Sequence, residues 1–135
     1  MIDLQNLSYA SAQVVHNFGA VTVAAVPACM LFGAPQAASR QRNAAWVVGG
    51  GWLAQGLSGL GFGIISYAGY GALPDIHGIA VAALYLKMLC AAGGIAATYM
   101  LLRHVTNWKE VLWRRTWQLL LALGATALCA AAFLR

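Results

Sequence analysis

Acidic side chains are nearly missing from this chain. Its 135 residues contain three, Asp3, Asp75 and Glu110, and all of them fall outside the long apolar runs. That excludes paired carboxylates for acid–base catalysis and leaves no acid to neutralise a cation buried in such a run. Charge of either sign is scarce: 8% of residues are charged and 61% are hydrophobic, where a soluble domain carries about a quarter charged residues. Too few polar side chains remain to coat a water-facing surface, so a soluble globular domain is excluded. Cysteine is sparse as well. Cys29, Cys90 and Cys129 form no CxxC pair and no disulfide framework, and each sits in an apolar run as a small packing residue. Met30, Met88 and Met100 form no cluster at one level that would suit copper, and core packing accounts for them. Nucleophile elbow, phosphate loop and HExxH are all absent. An enzyme acting alone is not indicated; a non-catalytic electron-transfer or accessory subunit is. The start, MIDLQNLSYA, lacks the basic stretch of a cleaved signal peptide, so the first apolar run is expected to stay in the mature protein.

What the chain does have is four apolar runs, over about 9–32, 44–67, 78–102 and 116–134, joined by short connections. At about 1.5 Å per helical residue, runs of this length cross the roughly 30 Å hydrocarbon core of a bilayer. The expected fold is all-α, an integral membrane four-helix bundle running up-down-up-down, in one domain. Six of the eight Lys and Arg residues (Arg40, Arg42, Arg103, Lys109, Arg114, Arg115) lie in the first and third connections, whereas the second, 68–77, has none. Basic connections face the cytoplasm, which places both termini in the periplasm of a bacterial inner membrane. The formal net charge of +5 is thus read as a match to lipid headgroups, and nucleic acid has no support. The stretch 103–115, basic and carrying Trp108 and Trp113, is expected to form a short amphipathic helix in the interface.

The third run, GIAVAALYLKMLCAAGGIAATYMLL, holds one charge, Lys87. It lies roughly 14 Å below the Gly78 end, deeper than a lysine stem reaches back to water. An amine at that depth needs a partner, and with no acid at that height the partner is expected from outside the chain. Lys87 shares a helical face with Ala80, Ala83, Ala91, Gly94 and Thr98, where a neighbour can come close. In the first run His16, about 10 Å below the outer end, is expected to share a face with Gln13 and Asn17. Gln55 lies near the middle of the second run, and His77 beside Asp75 at the outer mouth of the third. His16, Asn17, Lys87, Tyr67 and His77 therefore belong to the outer half of one bundle. His104, beside Arg103 at the opposite end, does not.

The second run is rich in glycine, with seven between Gly49 and Gly63, and Gly49, Gly56 and Gly63 repeat on one face beside Trp52, Gly59 and Ser66. Such a face docks a partner helix or a flat ligand. Three uses of the outer-half cluster compete. In one, His16 is an axial ligand of a b-type haem, with His77, a residue of another chain or no residue as the second metal ligand, and Lys87 and Tyr67 answer the propionates. Alternatively the cluster borders a quinone, His16 or Lys87 bonding a carbonyl oxygen. In the third, Lys87 bonds backbone carbonyls, Asn17, Gln55 or another subunit, and the polar groups only fasten helices together.

Three short motifs, VVHNFGA, LSGLGFG and ALYLKM, resemble the four-helix membrane module of the CopD-like family. That resemblance implies copper handling. Related small four-helix proteins with a helix-borne His and Lys resemble haem-binding oxidases of the porphyrin pathway, which implies His16 and Lys87 as the functional positions. Together these readings point to a small inner-membrane redox protein serving electron transfer in a respiratory assembly. It would work beside other membrane subunits, a periplasmic cytochrome or further copies of itself, with a purely structural subunit as the rival.

Overall fold

The computed structural model describes residues 4–34 and 37–134, which form four helices: α1 (Leu4–Phe32), α2 (Ala38–Tyr70), α3 (Ile79–His104) and α4 (Glu110–Ala131). A 3-10 turn, Ala132–Leu134, follows α4. The bundle is all-α, as the apolar runs require. α1, α3 and α4 with its terminal turn are each long and apolar enough to cross a membrane. The 33-residue α2 lies packed against α1 and α3. Large apolar side chains cover the outside, among them Phe18, Leu57, Ile64 and Leu89, each about two-thirds exposed or more. The chain is a multi-pass membrane protein embedded in a lipid bilayer.

Hydroxyls on these helices are satisfied locally, as a medium without water demands. Ser8, Ser11, Thr22 and Thr126 each donate to the carbonyl four residues back, at 2.8 Å. Pro27, inside α1, is buried against the neighbouring helices. α2 ends where Gly71 takes the left-handed conformation (φ 69°) and returns its N–H to the Tyr67 carbonyl.

Two boundaries differ from the sequence reading. α2 begins at Ala38, so Arg40 and Arg42 belong to the helix and not to a loop. No separate interfacial helix occupies 103–115: α3 continues through His104, a short turn follows, and α4 begins at Glu110. Apolar length marks where lipid ends but not where a helix ends, and Glu110–Arg115 contains no Gly or Pro to keep it out of α4. Glu110 suits its place in the first turn of α4, where the amide dipoles favour an anion.

The four helices form a ring in which α1 touches α2 and α4, and α3 touches α2 and α4. The diagonal pairs make no backbone contact among the described residues; side chains bridge them. Near the basic end Trp117 of α4 donates its indole N–H to Oε1 of buried Gln41 on α2 (2.5 Å). The large fully buried side chains, Trp52, Trp117, Leu101, Leu120, Val23 and Val48, occupy the middle and the basic end. Towards the other end the interior changes character. The buried residues of α2 there are Gln55, Ser58 and Ser66, and α3 contributes Ala83. The apolar core fills half the bundle, and a polar interior fills the other.

Candidate functional site

Each helix presents one narrow strip to the interior. On α1 it is His16, Gly19, Val23 and Pro27, spaced by three or four residues; on α3 it is Ala83, Lys87, Cys90, Gly94 and Leu101. On α2, Gln55, Ser58 and Phe62 lie towards α1. Gly19 allows that approach, since a Cβ there would stand 3.0 Å from the Gly51 carbonyl oxygen.

Lys87 crosses the open α1–α3 diagonal and meets the His16 ring, Nζ to Nε2 at 2.7 Å. The other ring nitrogen, Nδ1, lies 2.7 Å from Ser58 Oγ. Ser58 in turn reaches the carbonyls of Ala54 (2.5 Å) and Gln55 (3.3 Å). Hydrogen accounting fixes the tautomer. A carbonyl only accepts, so the one hydroxyl hydrogen of Ser58 goes to Ala54, and Ser58 Oγ must accept from His16 Nδ1–H. Nε2 is then left as a lone pair that accepts from Lys87. One proton lies on the Nζ–Nε2 line, since a hydrogen on both nitrogens would set them against each other. Gln55 donates its side-chain amide to the backbone carbonyl of His16. Phe62 meets the imidazole edge-on (5.6 Å), and Tyr9 stacks on Phe62 (6.0 Å). The amine thus has a hydrogen-bond partner within the chain, but an imidazole carries no negative charge, so this contact does not supply the counter-charge expected from outside the chain.

His16, Lys87 and Gln55 come together as one cluster. Asn17 does not join it: it accepts from Gln13 (3.0 Å) on the exposed side of α1. One residue past His16 is a turn of about 100°, enough to leave a strip this narrow. Tyr67 is 62% exposed near the end of α2. His77 sits in the exposed segment before α3, its Nε2 2.7 Å from the Asp75 carboxylate. Both ring nitrogens of His16 are engaged within the chain and His77 is paired elsewhere, so the two-histidine ligand pair is not assembled. Among the described residues no three His, Cys, Asp or Glu side chains gather as a metal site would require. Ser58 and Phe62 were not singled out from sequence. Their signal is a strip three and seven residues after Gln55, inside the LSGLGFG motif of a helix crowded with glycine.

Beside the cluster lies a slot. α2 and α3 touch where Gly49 faces the Thr98 methyl and where Trp52 lies flat on Gly94. Gly56, Gly59 and Gly63 continue that same face of α2, yet a Cβ on any of them would meet nothing within 4 Å. With the helices antiparallel and this register, Gly59 comes to the level of Lys87. The slot is this open stretch along the glycine face of α2, at the level of Lys87 and closed off where Trp52 meets Gly94. Trp52 is 1% exposed, and its indole N–H has no partner among the described residues. Lys87 spends one hydrogen on His16 and keeps others to donate. Chemically, the pair can give a hydrogen bond or a proton on the lysine side and hold the proton on the imidazole side.

Fold and site together define a multi-pass helical membrane protein with a hydrogen-bonded lysine–histidine–serine cluster in its interior. Set against protein-family models, curated proteins and solved structures, the chain matches none.

Proposed function

We propose that this is a small membrane redox protein that takes a quinone headgroup into the α2–α3 slot and serves electron transfer in a respiratory assembly. A single observation carries the reading: Lys87 keeps N–H donors at the level where the glycine face of α2 stands unfilled. A flat ring fits against glycine, and a carbonyl oxygen accepts from the amine. A quinone takes up protons with its electrons when reduced. In this chain Lys87 orients the carbonyl. When a quinol is oxidised, Lys87 takes one of its two protons while handing one of its own to the Nε2 lone pair of His16, Ser58 holds the ring, and in quinone reduction the same proton returns. The electrons come from or go to a partner, a membrane subunit or a periplasmic cytochrome. Six cations at the basic end support a bacterial inner-membrane setting with the slot in the periplasmic half.

A second reading, b-type haem, has one observation in its favour. A ligating histidine has its far ring N–H held by a hydrogen-bond acceptor so that the other nitrogen faces the metal, and Ser58 holds Nδ1–H in that way. It requires Lys87 to leave Nε2 and turn to the propionates, and it uses His16 alone. Copper handling, the implication of the CopD-like resemblance, lacks a ligand cluster among the described residues.

Photolabelling with an azido-benzoquinone in nanodiscs tests the proposal. Label is expected on the α2–α3 slot, competed by unlabelled quinone. Gly59→Leu should lower the affinity at least about tenfold, the equivalent of 1.4 kcal/mol, with helix content unchanged. Equal labelling of Gly59→Leu would reject the slot. A Soret band lost in His16→Ala would select the haem.

A further inference from the structure

A second site lies at the opposite end of the molecule, between α1 and α4. A groove of about 340 Å³ runs along α4 against the end of α1, lined by Leu31, Phe32, Gln118, Leu121, Ala122 and Ala125, with Arg114 at its upper end. From Arg114 to Ala125 is about 16 Å at the helical rise, close to the roughly 15 Å of one hydrocarbon leaflet. Arg114 also borders an adjoining pocket of about 160 Å³, where it meets Glu110, Trp113, Trp117 and Gln41. Trp113 is partly buried and keeps its enclosed indole N–H without a partner among the described residues. A trough one leaflet long, apolar but for Gln118, thus leads to a cation, a spare N–H donor and, one turn away, a carboxylate.

We propose that this is a binding site for one glycerophospholipid. An acyl chain lies in the groove, the phosphodiester sits between Arg114 and the Trp113 N–H, and Glu110 accepts from the headgroup beyond the phosphate. Arg114 supplies the charge complement, since a guanidinium suits phosphate oxygens. Glu110 sets the preference: a headgroup bearing hydroxyl or ammonium hydrogens has something to donate, whereas the trimethylammonium of phosphatidylcholine does not. The site is independent of the quinone slot and stands whether or not that reading holds.

Native mass spectrometry of the full chain, delipidated and then offered phosphatidylglycerol, phosphatidylethanolamine or phosphatidylcholine, provides the test. One lipid is expected to be retained, with phosphatidylcholine held several-fold less than the other two. Arg114→Gln should lower retention about tenfold, and Ala122→Phe, which fills the trough, should do the same without touching charge. Arg115→Gln, one residue outside the groove lining, is the control and should retain lipid normally. Equal loss in Arg114→Gln and Arg115→Gln would mean diffuse attraction to the basic end and overturn the site. Unchanged retention in Ala122→Phe would overturn the groove.

Discussion

Lys87→Met is expected to lower quinone affinity about 10- to 100-fold while shifting the melting temperature little. Methionine keeps the length and apolar character of the lysine stem, so packing at the half-buried position survives. What goes is a charge-assisted hydrogen bond, worth about 1.5–3 kcal/mol, which at 1.4 kcal/mol per decade gives that range. Stability changes little because two effects oppose each other. His16 Nε2 loses its donor, at a cost of about 1–3 kcal/mol, but a cation no longer has to be desolvated in the bundle. The double variant His16→Phe with Lys87→Met separates the redox reading from a purely structural role. If the pair only pins α1 to α3, the double variant recovers both assembly and activity. If the pair is the binding machinery, it recovers thermal stability and remains unable to bind. Thermal unfolding and photolabelling of the same samples read both outcomes.

The second large effect contrasts two glycines on one interface. Gly94→Ala is expected to destabilise the protein by about 1–3 kcal/mol, the usual cost of overpacking, because its Cβ would enter the Trp52 indole. The indole cannot retreat, being fully enclosed by the core. Gly59→Ala, on the slot side, should be neutral or slightly stabilising, since nothing lies within 4 Å and alanine is the better helix former. Trp52→Leu in the Gly94→Ala background should recover part of the loss. It removes the colliding indole ring and with it a buried N–H that has no partner among the described residues. Denaturation in detergent, followed by the fluorescence of the remaining tryptophans, measures the series. Equal effects at Gly59 and Gly94 would show that α2 and α3 are in contact along their whole length and that the slot does not exist.

Much of this architecture is legible in the residues themselves, because lipid imposes a single rule. An apolar run long enough to span must form a helix, three of the four helices meet that test, and four helices with short connections leave one simple arrangement. Lys87 was legible as the anomaly for the same reason, and depth alone placed His16 near its level. Partner choice was not legible. Whether Lys87 reaches His16, Asn17 or Gln55 depends on side-chain direction to within a fraction of a turn. It also depends on a ring geometry in which a lysine crosses a diagonal that no backbone contact bridges. Asn17 fails by one residue step. His77 fails because the segment before α3 stays extended and exposed, where Asp75 pairs with it. The glycines of α2 carried an ambiguity that composition cannot resolve. Gly49 receives a neighbour's side chain, whereas Gly56, Gly59 and Gly63 on the same face do not.

The direct measurement is nitrogen-15 NMR of the histidine rings in labelled protein, with His16 assigned by difference from His16→Ala. The proton should reside on Nδ1, bonded to Ser58, with Nε2 a hydrogen-bonded acceptor whose shift moves in Lys87→Met. A His16 ring protonated on Nε2 and indifferent to Lys87→Met would contradict the hydrogen-bonded cluster, and the proposed role of the slot would fall with it.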